Sequence, residues 1–325
     1  MWPLLLLTVA AGTMAATDFF QSSDEEDLAA LEEGDITDLG QLIEELEEEG
    51  VEPVALDPYL ALGEEASYDL DFSITDGDDL LVLPEADPET HPDFSPSAVV
   101  FALEGDDTLI GSELDDVLFG DEGNDSVFGQ GGNDQIFGGD GSDYLSGGDG
   151  DDDVIETFDD GSQDTLFGGD GNDVIFASGA LETGSLRLIS GGDGDDSVTL
   201  LGGAHIVHLG EGEDAVVVQT NHVEENEAAV VETIVAITDF APAEDALQIE
   251  LEVAPDANLP DVSQDFSYTL SEIDTPQGPA TLVEPTAHDS ASAEILENTL
   301  NDAVVILLGV SPQDLEGADI SVVLT

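Results

Sequence analysis

Gly120-Asp-Glu-Gly-Asn-Asp-Ser-Val-Phe128, Gly129-Gln-Gly-Gly-Asn-Asp-Gln-Ile-Phe137, Gly138-Gly-Asp-Gly-Ser-Asp-Tyr-Leu-Ser146 and Gly147-Gly-Asp-Gly-Asp-Asp-Asp-Val-Ile155 follow one another without a break. Each unit is nine residues long, with glycine early, Asp sixth and an aliphatic residue eighth. Gly168–Phe176 and Gly191–Thr199 repeat the pattern. A short period kept in register is the mark of a repeat architecture, so it fixes the fold before anything else is considered.

The physics of one unit is legible. Glycine tolerates positive φ, so the first half of a unit makes a tight turn with its carbonyls exposed. The three residues after the Asp make a short strand, and the middle one points inward because side chains alternate along a strand. Those middle residues are Leu109, Leu118, Val127, Ile136, Leu145, Val154, Leu166, Ile175, Ile189, Val198, Val207 and Val216, all apolar. One such strand cannot bury its own face, so successive units must stack. A flexible acidic linker would have no reason to hold aliphatic residues in register.

These units resemble the repeats-in-toxin (RTX) family, the hemolysin-type calcium-binding nonapeptide. The resemblance implies an all-β fold, a parallel β-roll in which two units make one coil and alternate turns lie on opposite edges. It also implies calcium between a unit and the unit two further on, held by sixth-position carboxylates and turn carbonyls. Calcium takes six to eight hard oxygens, and such a turn supplies little else.

On that reading the metal-ligating residues are Asp107, Asp125, Asp143 and Asp164 on one edge, followed by Arg187 and His205. On the other edge they are Asp116, Asp134, Asp152, Asp173, Asp196 and Asp214. Two insertions, Glu156–Phe158 and Ala177–Leu181, precede turns of the first edge, and both losses of Asp lie there. Three pairs on the first edge and five on the second set an upper limit of about eight calcium ions. Leu114 replaces a turn glycine in the unit of Asp116, which weakens the first pair of the second edge. Arg187, a fixed cation, cannot ligate calcium and is expected near Asp164 as a counter-charge.

The net charge is −77, and Arg187 is the single basic residue of the 325. Nucleic acid is excluded as a partner, because nothing here could neutralise phosphate. Cations are the natural counterparts of so acidic a chain. Without cysteine there is no disulfide and no thiolate metal site.

The flanks divide the chain into four. Residues 1–17 are apolar or small and read as an export signal or a short anchor, with the acidic remainder outside. Residues 18–101 read as an acidic linker: either two short amphipathic helices or disorder up to residue 65, then a hairpin from Tyr68–Ile74 and Leu80–Leu83. The roll occupies 102–217, and 218–325 is a β-rich region in which the repeat is expected to have stopped. Its Ile237–Phe240 and Asp245–Ile249 resemble the segment that follows such rolls in type I secretion substrates. The tail Asp319–Thr325 resembles the C-terminal signal read by that machinery, or is a final sheet strand.

No His-Glu-x-x-His and no Gly-x-Ser-x-Gly is present, so zinc-protease and common serine-hydrolase chemistry lack their residues. Whether 218–325 holds an enzyme is left open, though a binding role is favoured. Ninth-position residues point outward, and Phe119, Phe137, Ile155 and Phe176 make an apolar stripe over four strands of one sheet, covered by a flank or offered to a partner. The expectation is a secreted or outward-facing, membrane-anchored calcium-binding protein. Its roll orders on calcium outside the cell as a structural or adhesive module, or serves a calcium-dependent enzyme in 218–325.

Overall fold

The computed structural model describes residues 69–74, 77–83, 97–157, 162–179, 186–220, 233–251, 266–287 and 303–324. Every regular element among them is a strand. In chain order the first are β1 (Asp69–Ser73), β2 (Leu80–Val82), β3 (Ser97–Phe101), β4 (Thr108–Ile110), β5 (Val117–Glu122), β6 (Ser126–Gly131) and β7 (Gln135–Asp140). Next come β8 (Tyr144–Asp149), β9 (Asp153–Glu156), β10 (Thr165–Asp170), β11 (Val174–Ser178), β12 (Leu186–Asp193), β13 (Ser197–Leu201) and β14 (Gly203–Glu211). The last are β15 (Ala215–Gln219), β16 (Thr233–Ile237), β17 (Ala246–Leu251), β18 (Phe266–Thr275), β19 (Gly278–Ala287), β20 (Ala303–Leu308) and β21 (Asp319–Leu324).

From β1 to β17 the chain alternates between two sheets. One has the order β1-β3-β5-β7-β9-β11-β13-β15-β17-β21 and is parallel throughout. The other runs β18-β19-β20-β16-β14-β12-β10-β8-β6-β4-β2, antiparallel only at β18, β19 and β20. Leu118 lies beside Ile136 and Leu109 beside Val127, so one coil is two units long. This is the expected parallel β-roll.

The eighth-position side chains meet between the sheets. Leu109, Val127, Ile136, Leu145, Val154, Leu166, Ile175 and Ile189 are fully buried in one continuous core. Burying each such side chain stabilises the fold by about 1.5–3 kcal/mol. The turns stack by two further devices. Fifth-position side chains accept the backbone N–H of the fifth residue two units on: Asp106 from Asn124, Asn124 from Ser142, Asp151 from Asn172. Fourth-position glycine lets turns approach closely: Gly123 has φ +147°, and a Cβ there would collide with the carbonyl oxygen of Gly105.

The ladder is longer than the glycine pattern. β1 and β2 do not form the expected hairpin: β1 pairs with β3 and β2 with β4, each in parallel and in opposite sheets. A local antiparallel pairing would have left Leu81 without its place beside Leu109 in the core. The ladder continues past Val218, where the repeat ends, because β15 pairs with β17 and β17 with β21. The tail Asp319–Leu324 is thus the last strand of its sheet. β20 is buried along its whole length. Residues 1–17 and the helices considered for 18–65 lie outside the described residues. Among the described residues no helix is long and apolar enough to cross a membrane.

Ile136→Ala in the calcium-saturated protein is expected to lower stability by about 2–5 kcal/mol, the cost of a cavity at a closed site. Gln135→Ala next to it, exposed on the outer face, should change stability by less than about 0.5 kcal/mol. Denaturant titration of both variants checks the register, and equal effects would overturn it.

Candidate metal centre

The sixth-position aspartates stand just before the strands, and each edge of the roll gathers them into a column. Asp107, Asp116, Asp125, Asp134, Asp143, Asp152, Asp164, Asp173, Asp196 and Asp214 are all 1–3% exposed. One carboxylate oxygen always has the same task. Asp125 Oδ1 accepts the N–H of Asp107 at 2.8 Å, and Asp143 Oδ1 that of Asp125 at 2.8 Å. On the other edge Asp134 Oδ1 accepts from Asp116 at 2.7 Å, Asp152 Oδ1 from Asp134 at 2.7 Å, and Asp196 Oδ1 from Asp173 at 2.8 Å.

The second oxygen is left over. Oδ2 of Asp107, Asp125, Asp134, Asp152, Asp173, Asp196 and Asp214 is buried with no hydrogen-bond partner. A buried carboxylate oxygen without a donor is costly unless a cation meets it. The space beside it is kept open by first-position glycine. A Cβ on Gly120 would lie 2.5 Å from Asp125 Oδ2 and 2.6 Å from the Gly138 carbonyl oxygen. Gly129, Gly147, Gly168 and Gly191 stand likewise between the Oδ2 of their own unit and the first carbonyl of the next unit on that edge. Hard carboxylate and carbonyl oxygens that face a gap closed to any side chain suit calcium. The described residues contain no cluster of three or more His, Cys, Asp or Glu side chains in reach of one metal ion. Here the donor set is carbonyl-rich instead.

The columns end on protein donors. At the start of the second edge, Ser112 donates its N–H and its hydroxyl to Asp116 Oδ2, each at 2.9 Å. Asp116 is therefore already satisfied, which sets apart the pair that Leu114 had made doubtful. On the first edge Arg187 Nε meets Asp164 Oδ2 at 2.7 Å, with both side chains buried. The expected counter-charge is in place. His205 follows, fully buried, with Nε2 2.6 Å from the Gly202 carbonyl, to which it donates. Burial pushes its pKa down to about 4, so the ring is neutral. His208 lies on the other face of β14, half-buried beside Thr238 Oγ1 and Asp239. Both histidines serve the fold.

Three residues of these columns were not evident from the repeat. Asp79 Nα–H donates to Asp107 Oδ1 at 2.7 Å, which makes Asp79 the first-edge member before Asp107. Asp245 continues the second edge beyond Asp214. In both, an Asp two residues before a buried leucine was the available signal. Glu156, fully buried in the first insertion, sets its carboxylate against Gly138 and Asp143 Oδ2, where other units place a carbonyl.

Comparison with known families agrees with this geometry. Four copies of the RTX calcium-binding nonapeptide repeat match at residues 101–136, 128–155, 159–180 and 188–216. Residues 101–216 thus carry RTX-type calcium-binding repeats. No curated protein matches the chain. RTX repeats bind calcium, and the matched residues contain all ten aspartates of the two columns that the repeat had marked.

Without a cation the columns hold protons. Burial, partly offset by the backbone hydrogen bond and reinforced by neighbouring carboxylates, pushes Asp125 and Asp134 up to about 8. Asp173 and Asp196 rise to about 7, and Asp107 and Asp152 to about 6. The folded state then binds more protons than the unfolded chain, so its stability falls as pH rises between about 4 and 8. In excess chelator, lowering the pH from about 8 to about 5.5 should increase the β-sheet circular dichroism and raise Tm. With calcium present the same change should weaken calcium binding, because protons compete for the carboxylates. A chelated roll that gains stability with rising pH would refute this assignment.

Arg187→Met should cost about 3–5 kcal/mol, because it leaves the Asp164 carboxylate buried without its counter-charge. Thermal unfolding at fixed calcium measures it, and an unchanged Tm would show that the pair is dispensable.

Proposed function

We propose that this chain is an exported calcium-binding protein whose roll folds when calcium enters the two aspartate columns, and that it acts as a structural or adhesive module. The observation that carries the reading is the series of buried, donorless Oδ2 atoms, of which those of Asp125, Asp134, Asp152, Asp173 and Asp196 lie beside a glycine-kept gap. Asp107, Asp116, Asp125, Asp134, Asp143, Asp152, Asp164, Asp173, Asp196 and Asp214 are the ligands, with turn carbonyls completing the shell and about eight ions as the ceiling. Calcium supplies the positive charge that lets like-charged rows lie parallel. Extracellular calcium modules bind at about 10⁻⁴–10⁻³ M, which suits a chain that passes type I secretion machinery unfolded and orders outside. In the described part of 218–325 the strands extend and close the ladder, which supports a structural role over a calcium-dependent enzyme housed there.

A second feature supports an adhesive role. Phe119, Phe137, Ile155 and Phe176 are half-exposed on the outer face of the ten-stranded sheet. Phe101 extends the row: its ring stacks on Phe119 at 4.8 Å, and Phe119 on Phe137 at 4.6 Å. Beside them a groove of about 630 Å³ is rimmed by Glu104, Asp121, Glu122 and Asp140. An aromatic floor with an acidic rim suits a basic, apolar partner surface, since Phe faces attract Lys and Arg. A chain with one buried basic residue cannot supply that surface itself.

Circular dichroism during calcium titration tests the main reading. The sheet signal should appear with calcium and vanish in excess chelator at pH 8, while stability climbs with free calcium because the ion binds only the folded state. A sheet signal that survives chelation sinks it. For the surface, an Arg/Leu-rich peptide should bind the calcium-loaded protein and lose at least about tenfold in affinity to a Phe119→Ser, Phe137→Ser double variant. Equal binding by both would remove the partner site.

A further inference from the structure

The apolar stripe of the ten-stranded sheet is acidic along one side only. Phe101, Phe119, Phe137 and Ile155 share one register position on β3, β5, β7 and β9, one per coil. Glu104, Glu122 and Asp140 make a second row, also one per coil, where the strands run out into their turns. All three are exposed. On the far side of the rings stand Val99 and Val117, two residues earlier along β3 and β5. An apolar floor therefore carries negative charge along a single flank.

The floor is rigid. The rings of Phe101, Phe119 and Phe137 stack at 4.8 and 4.6 Å with interplanar angles of 4° and 8°, so each holds the next in place. The backbone beside them is strained. Leu103 has φ +84° and Asp121 has φ +72°, and the residue aligned with Asp121 in the next coil is Gly139. Glycine is at ease in that left-handed region and other residues are not. Leu103 and Asp121 both line the groove, so the strain is kept together with the groove walls.

The pitch of the rows selects the occupant. Strand spacing puts successive rows at about 4.8, 9.6 and 14.4 Å from the first. An α-helix rises about 1.5 Å per residue, so positions i+3, i+7 and i+10 lie about 4.5, 10.5 and 15 Å from i, all on one face. Same-face side chains of an extended strand lie about 6.6–6.8 Å apart and leave the rows by the second step. We propose that the groove takes an amphipathic α-helix of another protein, laid along the roll axis. Its apolar stripe rests on Phe101, Phe119, Phe137 and Ile155, and Lys or Arg along one flank meets Glu104, Glu122 and Asp140. This rests on the partner-surface reading above and narrows it. The chain cannot supply the basic flank, because its one basic side chain, Arg187, is buried against Asp164. The unequal flanks also fix direction: a helix turned end for end would put its basic side over Val99 and Val117.

Two synthetic peptides of identical composition test this against the calcium-loaded full chain. One carries Leu at i, i+3, i+7 and i+10 with Arg at i+1, i+4 and i+8. The other alternates Leu with polar residues, as a strand would. The helical pattern should bind at least about tenfold more tightly, and Glu122→Gln with Asp140→Asn should weaken it at least about fivefold. Equal affinity of the two peptides for the unaltered chain overturns the helix while leaving the partner surface intact. Binding by neither overturns both. Helical-pattern binding that is unmoved by the charge substitutions overturns the placement over the acidic row. Both substituted side chains are exposed, and an unchanged calcium-dependent circular dichroism spectrum establishes that the variant is folded. The comparison of the two peptides needs no variant.

Discussion

Everything in this roll depends on burying rows of carboxylates one coil apart. Each Asp gives Oδ1 to the backbone of the turn before it, which fixes the turn spacing by hydrogen bonds. Having done so, it cannot turn away, and in Asp107, Asp125, Asp134, Asp152, Asp173, Asp196 and Asp214 Oδ2 is left buried without a hydrogen-bond partner. The fold is thus built around a conflict that it cannot resolve alone. Protons resolve it in acid, Arg187 resolves it once, Ser112 once, and a divalent cation is the general solution.

That conflict also explains the economy of the turns. Fourth-position glycine is demanded by the neighbouring backbone, and first-position glycine by the space between a carboxylate and a carbonyl. Neither has to do with flexibility. Fifth-position Asp, Asn and Ser look interchangeable because each needs only one acceptor atom for the turn above.

The inner surface was legible because an inward side chain every ninth residue has no other purpose. The sixth-position aspartates followed from the same count. What escaped was set by partners distant in sequence. Leu80–Val82 and Asp69–Ser73 looked like a hairpin because they are neighbours along the chain, whereas their partners lie 28 residues further on. Asp245 was hidden because its turn carries no glycine, and its place is fixed only by pairing with β15. The outer faces were half legible. Both carry aromatic residues at the ninth position, yet Ile110, Phe128 and Phe167 are buried while Phe119 and Phe137 are not. Tyr144, whose ring lies 5.5 Å from Phe128 and 5.4 Å from Phe167, bridges the space above Ser146. No count along the chain distinguishes a ring that is covered from one that is not.

The buried Arg187 has a further consequence. A protease that cuts after Lys or Arg finds one susceptible bond in 325 residues, and the arginine preceding it sits inside β12 at 1% exposure. Cleavage must wait until that strand leaves the sheet. When opening and closing are fast relative to cutting, the rate follows the equilibrium population of the open form. The chain therefore carries its own clock for unfolding: one cut, two fragments, and a rate set by how often the middle of the stack comes apart.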